Sequence, residues 1–136
     1  MPKYLLSSIE NTREVAKTLA NLVKESRIMT FSGNLGTGKT TTIQEICKAL
    51  GVSDFVSSPS FGLVNEYQNS DEHIFHFDLY RMNSLDEALD IGFLEYLDSG
   101  SICLIEWPEV VLDLLPEEGI RVSLNHEEDG KRSISW

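Results

Sequence analysis

A glycine-rich segment that ends in a lysine constrains the fold of this chain more than any other feature. It matches the pattern G-x-x-x-x-G-K-S/T and consists of Gly33, Asn34, Leu35, Gly36, Thr37, Gly38, Lys39 and Thr40, followed by Thr41. The apolar run at 27–31 predicts a short buried strand before it, and the pattern at 41–50 predicts a helix after it. A strand, a glycine loop and a helix in this order are the setting of a P-loop.

The residue types in this segment suit the binding of phosphate groups. Glycines let the backbone approach a phosphate without Cβ clashes, and the inward N–H groups of a curled loop form an anion-binding nest. The helix that begins near Lys39 adds unpaired N–H groups and the positive end of its dipole. Lys39 can reach the β- and γ-phosphates of a nucleotide, and the Thr40 hydroxyl can bind Mg²⁺. The segment therefore predicts a nucleotide-phosphate site rather than a plain glycine turn.

Length and composition favour a single domain that spans residues 1–136. No apolar run approaches the roughly 18 residues that a membrane span needs, and the start of the chain does not resemble a signal peptide, so we expect a cytoplasmic protein without membrane contact. Cys47 and Cys103 lie in apolar patterns and are predicted to be reduced core residues. The net charge of −11 disfavours direct binding of nucleic acid, so any contact with RNA is expected to run through a partner protein.

The rest of the chain predicts an α/β fold: a P-loop NTPase-like domain with a mostly parallel central sheet, antiparallel hairpins and helices on both faces. Ser7 is predicted to cap a first helix that ends near residue 25 and packs through Val15, Leu19, Leu22 and Val23. The predicted strands are 3–6, 27–31, 61–67, 73–79, 101–106, 120–124 and 132–136, with a turn at 69–72 and an Asp-Gly turn in the last hairpin. The later predicted helices begin after the Ser84 cap, at 93–97 and at 109–115.

Two carboxylates are candidates for the second ligand that Mg²⁺ needs beside a P-loop. Glu106 ends the apolar run 102–106, and Asp78 ends the run 74–78. Ligands of open α/β sheets bind beyond the carboxyl ends of the strands, which places both candidates near the loop. The alternatives are a solvated strand end for Glu106 and a salt bridge to Arg81 for Asp78. The sequence does not decide which carboxylate binds the metal directly.

The histidines and one serine-rich segment have simpler alternatives. The segment 58–60 is either a switch-like element, in which the Ser60 hydroxyl senses a γ-phosphate, or a plain proline turn. His76 lies in a predicted strand and is expected to be packed or exposed rather than a catalytic base. His73 and His126 are expected at the surface. His73 and His76 are three residues apart and therefore face opposite sides of a strand, which argues against a zinc site.

Four blocks of sequence, taken in order, resemble the TsaE family, also called YjeE. They are the P-loop, the block 58–67, the block 76–81 with the sequence H-F-D-L-Y-R, and the block 105–109 with the sequence I-E-W-P-E. The last two are far more specific than the P-loop alone, and the likeness extends from the first helix to Glu109. The resemblance implies an ATPase that uses Mg²⁺ and is required for the threonylcarbamoyl modification of adenosine 37 in tRNAs reading codons that begin with adenine. It implies action with TsaB and TsaD, where TsaD carries the transfer chemistry.

The same resemblance implies roles for particular residues. Lys39, Asp78 and Glu106 correspond to catalytic residues, and Thr40 with Glu106 corresponds to the metal site. Nucleotide contacts are implied for the P-loop residues and for Ile9 and Glu109. Ser60, Arg81 and Trp107 correspond to a switch or partner face. The family usually has Asp in place of Asn34 and often Thr in place of Ser60, so one charge is lost in the loop.

The reaction that these residues predict is in-line attack of water on the γ-phosphorus of ATP. No arginine is obviously placed as a finger, and Arg81 is the nearest candidate, so hydrolysis is expected to be slow without a partner. A small-molecule kinase is the main alternative, although 136 residues leave little room for an acceptor pocket and lid. A GTPase switch lacks its N-K-x-D signature here. A nucleotide-sensing scaffold without turnover is the remaining alternative.

Overall fold

Seven strands form one sheet in the part of the chain that the computed structural model describes, which is residues 3–53, 56–57, 59 and 64–136. The strands are β1 (Lys3–Leu6), β2 (Ile28–Ser32), β3 (Val64–Gln68), β4 (His73–Asp78), β5 (Ile102–Glu106), β6 (Ile120–His126) and β7 (Arg132–Ser135). The helices of the described residues are α1 (Ile9–Ser26), α2 (Lys39–Ala49), α3 (Leu85–Asp90) and α4 (Phe93–Asp98), with 3₁₀ segments at Pro108–Leu114 and Glu128–Gly130.

The centre of the sheet is parallel and its edges are antiparallel. The strand order is β1-β7-β6-β2-β5-β4-β3. The pairs β6–β2, β2–β5 and β5–β4 are parallel, whereas β1–β7, β7–β6 and β4–β3 are antiparallel. The carboxyl ends of the four central strands therefore lie at one edge, where ligands of open α/β sheets bind. The predicted fold class, with its two hairpins, is confirmed.

Each face of the sheet packs against its own helices because successive strand residues point to opposite sides. Met29 and Leu104 belong to the apolar cluster that contains the inner sides of α1 and α2. Ile105 and Phe77 belong to a second cluster with Ala88 of α3 and Phe93 of α4. Helices thus cover both faces, as predicted, and β5 is buried along its whole length. No helix of the described ranges is both long and apolar enough to cross a membrane.

The start and the inner side of α1 differ from the prediction. Ser8, not Ser7, caps the helix: its backbone is extended and its Oγ accepts a hydrogen bond from the Asn11 N–H. Ser7 Oγ instead donates to Asn11 Oδ1 at 2.7 Å. Leu22 is 37% exposed because it lies just beyond the buried stripe. That stripe runs through Thr12, Val15, Ala16, Leu19, Ala20 and Val23.

Three predicted elements in the later chain have different bounds or geometry. Residues 61–63 of the strand predicted at 61–67 lie outside the described residues, and β3 begins at Val64. The helix predicted at 109–115 is a 3₁₀ helix that starts at Pro108, since proline fits a first helical turn. The last hairpin closes through a 3₁₀ turn over Glu128–Gly130, with the Glu127 N–H bonded to the Lys131 carbonyl at 2.7 Å, rather than through a two-residue turn.

The two cysteines are buried on opposite faces of the sheet, Cys47 in the first apolar cluster and Cys103 in the second. Burial raises the pKa of each thiol to about 12. At pH 8 the thiolate fraction is then on the order of 10⁻⁴, and the thiolate is the reactive species. We expect a chromogenic disulfide reagent to label neither cysteine in native buffer on the timescale of minutes and to label both at once in denaturant. Labelling of the native chain at the rate of a free thiol would contradict this burial.

Candidate nucleotide-binding site

The glycine loop connects the carboxyl end of β2 to the start of α2. Gly33 has φ of 153°, and a Cβ there would lie 2.4 Å from the Leu124 carbonyl oxygen of β6 and 2.9 Å from Thr37 Oγ1. Gly38 has φ of 96° and lies just before the first residue of α2. Only glycine satisfies both the close approach to β6 and the left-handed backbone. These positions fix a curled loop whose amide groups precede a helix N-terminus, the arrangement that binds phosphate.

The Lys39 side chain lies across the loop and is only 5% exposed. Its Nζ donates hydrogen bonds to the carbonyl oxygens of Gly33 at 2.6 Å and Asn34 at 2.9 Å. The ammonium group also lies 4.2 Å from the centre of the Trp107 ring, a cation–π contact. Burial lowers the pKa of Lys39 below its usual value, and the nearby carboxylates, Glu106 most strongly, act against that shift. The lysine is thus held at the loop by carbonyl groups, an aromatic ring and opposite charge.

Glu106 lies beside the loop because β5 is the parallel neighbour of β2. It is 2% exposed. Its Oε1 accepts a hydrogen bond from Thr40 Oγ1 at 3.2 Å, and its Oε2 lies 2.7 Å from His76 Nε2. The structure therefore brings together the hydroxyl and the carboxylate that the sequence suggested for a metal site. The alternative of a solvated strand end does not apply to Glu106.

Asp78 is the register partner of Glu106 across β4 and β5. Its Oδ1 accepts a hydrogen bond from the Tyr80 N–H at 3.0 Å, and Arg81 lies instead in a separate pocket with Glu87 and Asp90. Burial raises the pKa of Asp78, and the charge of Glu106 adds to the rise. A cation beside these two neighbouring carboxylates would offset their mutual repulsion.

A pocket of about 340 Å³ joins these groups. Its walls come from the loop and the start of α2, from Asp78 and Glu106, and from Trp107 and Arg132. Trp107 has a left-handed backbone, with φ of 56°, and its ring lies 4.8 Å from that of Tyr80. With this backbone the indole ring lies over Lys39.

A second pocket of about 190 Å³ adjoins the first and shares Gly38, Thr41 and Arg132 with it. Its other wall is formed by the junction of β1 and α1, which includes Ile9. Ile9 is 44% exposed, so its side chain offers apolar surface at the mouth of this pocket. The position for which a nucleotide contact was expected thus lies on the P-loop side of the fold.

The remaining predicted residues are distributed around these pockets. Leu35 is 65% exposed at the tip of the loop. Glu109 is exposed in the first turn of the 3₁₀ helix, and its charge acts, with Glu106 and Asp78, against the lowering of the Lys39 pKa by burial. Arg81 does not line the pocket that contains Lys39. Ser60 lies outside the described residues.

Sequence reasoning missed Arg132 and His76. Arg132 begins β7, and its Nη1 lies 3.1 Å from where a Cβ on Gly38 would be. Since β7 runs antiparallel to β6, its start lies at the same edge as the loop. His76 was expected to be packed or exposed; it is packed, with no exposed surface, but against Glu106. The alternation His76-x-Asp78 was the available signal, because residues two apart share a strand face.

A glycine loop between β2 and α2, with a hydroxyl at the helix start and a carboxylate from the adjacent parallel strand, defines the chain as a P-loop protein. A family model described as threonylcarbamoyl adenosine biosynthesis protein TsaE matches residues 6–134. The chain belongs to the TsaE family, a family of tRNA modification.

Individual relatives agree with the family model. The tRNA threonylcarbamoyladenosine biosynthesis protein TsaE of Bacillus subtilis is 34% identical over 134 residues, which cover 98% of this chain and 84% of that protein. The protein of the same name from Rickettsia bellii is 40% identical over 129 residues, covering 94% and 89% respectively. The crystal structure of YdiB from Bacillus subtilis superposes with a TM-score of 0.73 at 28% identity and covers 98% of this chain and 82% of that one.

Proposed function

We propose that this chain binds and hydrolyses ATP in the formation of the threonylcarbamoyl group on adenosine 37 of tRNAs that read codons beginning with adenine. In this proposal it acts in the cytoplasm with TsaB and TsaD, and tRNA is contacted only through those partners. Membership of the TsaE family supports the pathway. The observation that carries the ATPase activity is the contact of Thr40 Oγ1 with Glu106 Oε1 directly beside the glycine loop.

The phosphates are bound by backbone and lysine. The amide groups of the loop and of the first turn of α2 bind the phosphate oxygens, with the helix dipole in support. Lys39 already lies at the loop, and its Nζ exchanges the carbonyl oxygens of Gly33 and Asn34 for the β- and γ-phosphates. Arg132, which lines both pockets, adds a second positive charge. Together these groups offset the charge that develops during phosphoryl transfer.

The donor set at the metal site fits Mg²⁺. A hydroxyl oxygen and a carboxylate oxygen 3.2 Å apart are hard ligands, and Mg²⁺ in nucleotide sites takes few protein ligands besides phosphates and water. Thr40 and Glu106 would hold the ion, Glu106 directly or through water, and it would supply positive charge to the phosphates. Asp78, at the end of the neighbouring strand, orients the attacking water or the metal shell.

The base of the nucleotide occupies the smaller pocket, with the apolar surface of Ile9 and the β1–α1 junction against it. We assign a further nucleotide contact to Glu109, in the first turn of the 3₁₀ helix that follows Trp107. We assign the exposed Tyr80, the Trp107 ring that it contacts and the nearby Arg81 to the face that meets the partner proteins, together with Ser60. Strong negative charge on this chain is consistent with indirect contact to RNA.

The proposal is tested by phosphate release from ATP, measured with this chain alone, with TsaB–TsaD alone and with all three. We expect little turnover by the isolated chain and a rise of at least an order of magnitude in the mixture, because Arg81, the candidate for an arginine finger, does not line the pocket that contains Lys39. Glu106→Gln should abolish Mg²⁺-dependent phosphate release, while the variant chain still binds TsaB–TsaD. GTP in place of ATP tests the choice of base.

Three outcomes would contradict this proposal in different ways. Fast turnover by the isolated chain would remove the need for partner activation. ATP binding without phosphate release in any mixture would favour the sensing scaffold. Release that requires a small phosphate acceptor, found by screening acceptors, would favour a kinase.

A further inference from the structure

The carboxylate of Glu106 is held from a second side by a buried histidine to which the proposed reaction gives no role. His76 has no exposed surface, and its Nε2 lies 2.7 Å from Glu106 Oε2. Thr40 donates to the other oxygen, Oε1. The two contacts on different oxygens restrict rotation of the carboxylate about its last side-chain bond. A carboxylate this buried is costly unless such partners are present.

The other ring nitrogen of His76 faces a buried tyrosine. His76 Nδ1 lies 3.3 Å from Tyr67 Oη, and Tyr67 is 4% exposed. Tyr67 Oη is in turn 2.9 Å from the Ser57 carbonyl oxygen and accepts a hydrogen bond from the Ser57 N–H at 3.3 Å. Asn65 Nδ2 donates to the same Ser57 carbonyl at 3.1 Å. A continuous chain of contacts therefore runs from the backbone at Ser57 to the proposed metal site.

The hydrogen positions follow from the chemistry of the partners. A carboxylate only accepts, so the hydrogen between His76 and Glu106 is on Nε2. In the neutral ring Nδ1 then carries the lone pair that faces the Tyr67 hydroxyl, whose single hydrogen is shared between Nδ1 at 3.3 Å and the Ser57 carbonyl oxygen at 2.9 Å. The Ser57 carbonyl keeps the Asn65 amide as its donor when the hydroxyl turns to His76. With the hydroxyl turned to His76 each of these polar atoms has a partner, and the neutral ring carries its hydrogen on Nε2.

We propose that His76 and Tyr67 are positioning residues for Glu106: they orient its carboxylate toward Thr40 and tie that orientation to the backbone at Ser57. The inference rests on the proposed function in one respect, which is that Glu106 holds Mg²⁺. Outer contacts of this kind set the orientation and basicity of metal-binding side chains, and their loss typically costs about 10–100-fold in metal affinity. His76 is thus part of the metal site although it does not touch the metal.

The proposal is tested first without nucleotide, by ¹⁵N NMR of the imidazole nitrogens at neutral pH. We expect His76 to show the Nε2–H tautomer, and we expect Tyr67→Phe to move the Nδ1 resonance while His73, exposed on the same strand, is unchanged. The opposite tautomer, or an Nδ1 resonance that does not respond to loss of the Tyr67 hydroxyl, would overturn the proposal whether or not the chain hydrolyses ATP.

The second readout is the Mg²⁺ concentration that gives half-maximal ATP turnover with TsaB–TsaD. His76→Leu should raise it by about 10–100-fold. His76→Gln, whose amide can still donate to Glu106, should need a Mg²⁺ concentration close to that of wild type. Tyr67→Phe should raise the concentration, but by less than His76→Leu. His73→Gln is the matched control. Thermal unfolding of each variant sets a temperature at which all are folded.

The two proposals fail differently in this experiment. If wild type turns over ATP and His76→Leu needs no more Mg²⁺ than wild type, His76 only packs the core and the positioning role is wrong. If wild type shows no turnover, the proposed function fails, and the NMR result alone decides whether the histidine orients Glu106.

Discussion

Replacement of Lys39 by alanine is expected to lower partner-stimulated ATP turnover by about 10²–10³-fold, the usual loss when one preorganised donor to developing charge is removed. The lysine is buried, its ammonium group lies against the carbonyls of Gly33 and Asn34, and no other lysine lines the larger pocket formed by the described residues. Phosphate release in the presence of TsaB–TsaD measures the loss.

Lys48→Ala is the control for the Lys39 variant. Lys48 is on the same helix, its side chain is 68% exposed, and it forms an ion pair with Glu45 of that helix, so turnover should stay close to wild type. ATP binding is measured separately from turnover by the fluorescence of Trp107, which lies over Lys39. Trp136 is first changed to phenylalanine so that only Trp107 contributes. Full turnover by a folded Lys39→Ala protein would show that the glycine loop is not the reaction site.

Gly33→Ala is expected to cause the largest loss of stability of any single methyl addition in the loop. The backbone conformation alone costs an alanine about 1–3 kcal/mol. The new Cβ would also lie 2.4 Å from a backbone oxygen of β6, which cannot move aside as a flexible side chain could. Overpacking of this kind costs about 1–3 kcal/mol more. Urea unfolding followed by circular dichroism measures the change in the free energy of unfolding.

Gly100→Ala separates the two causes. Gly100 has φ of 81°, and a Cβ there would have no neighbour within 4 Å, so only the backbone cost applies. The Gly33 variant should therefore lose about 1–3 kcal/mol more than the Gly100 variant. Equal losses would mean that the loop does not press against β6 at Leu124.

The sequence predicted the glycine loop and its neighbours because the loop is a local pattern. Residue types within eight positions determine the backbone shape, the helix start and the side chains that reach a phosphate. Asp78 and Glu106 could also be predicted, because both end apolar runs and the ends of parallel strands meet at one edge. Their nearness to the loop required only that β4, β5 and β2 be neighbours, which the structure has.

The contact of His76 with Glu106 and the position of Arg132 beside the loop could not be predicted, because both depend on the strand order and register across the sheet. In the sequence, His76 is a polar residue within an apolar strand. Only the register of β4 against β5 shows that Glu106 is its diagonal neighbour. Arg132 reaches the loop because β7 lies between β1 and β6, and nothing local to residue 132 indicates that order. The sequence does not distinguish Ser8 from Ser7 as the cap. Both hydroxyls donate to Asn11 Oδ1, but it is Ser8 Oγ that accepts a hydrogen bond from the Asn11 N–H.

The position of β1 gives the two pockets unequal mechanical support. The phosphate pocket is built on β2 and β5, which are buried and paired on both sides. The smaller pocket takes one wall from the β1–α1 junction, and β1 is a mostly exposed edge strand whose sheet partner is β7. A ligand that spans both pockets would contact paired, buried strands at one end and an exposed edge strand at the other. Small displacements on binding should therefore concentrate at the outer edge of the sheet, while the loop keeps its shape.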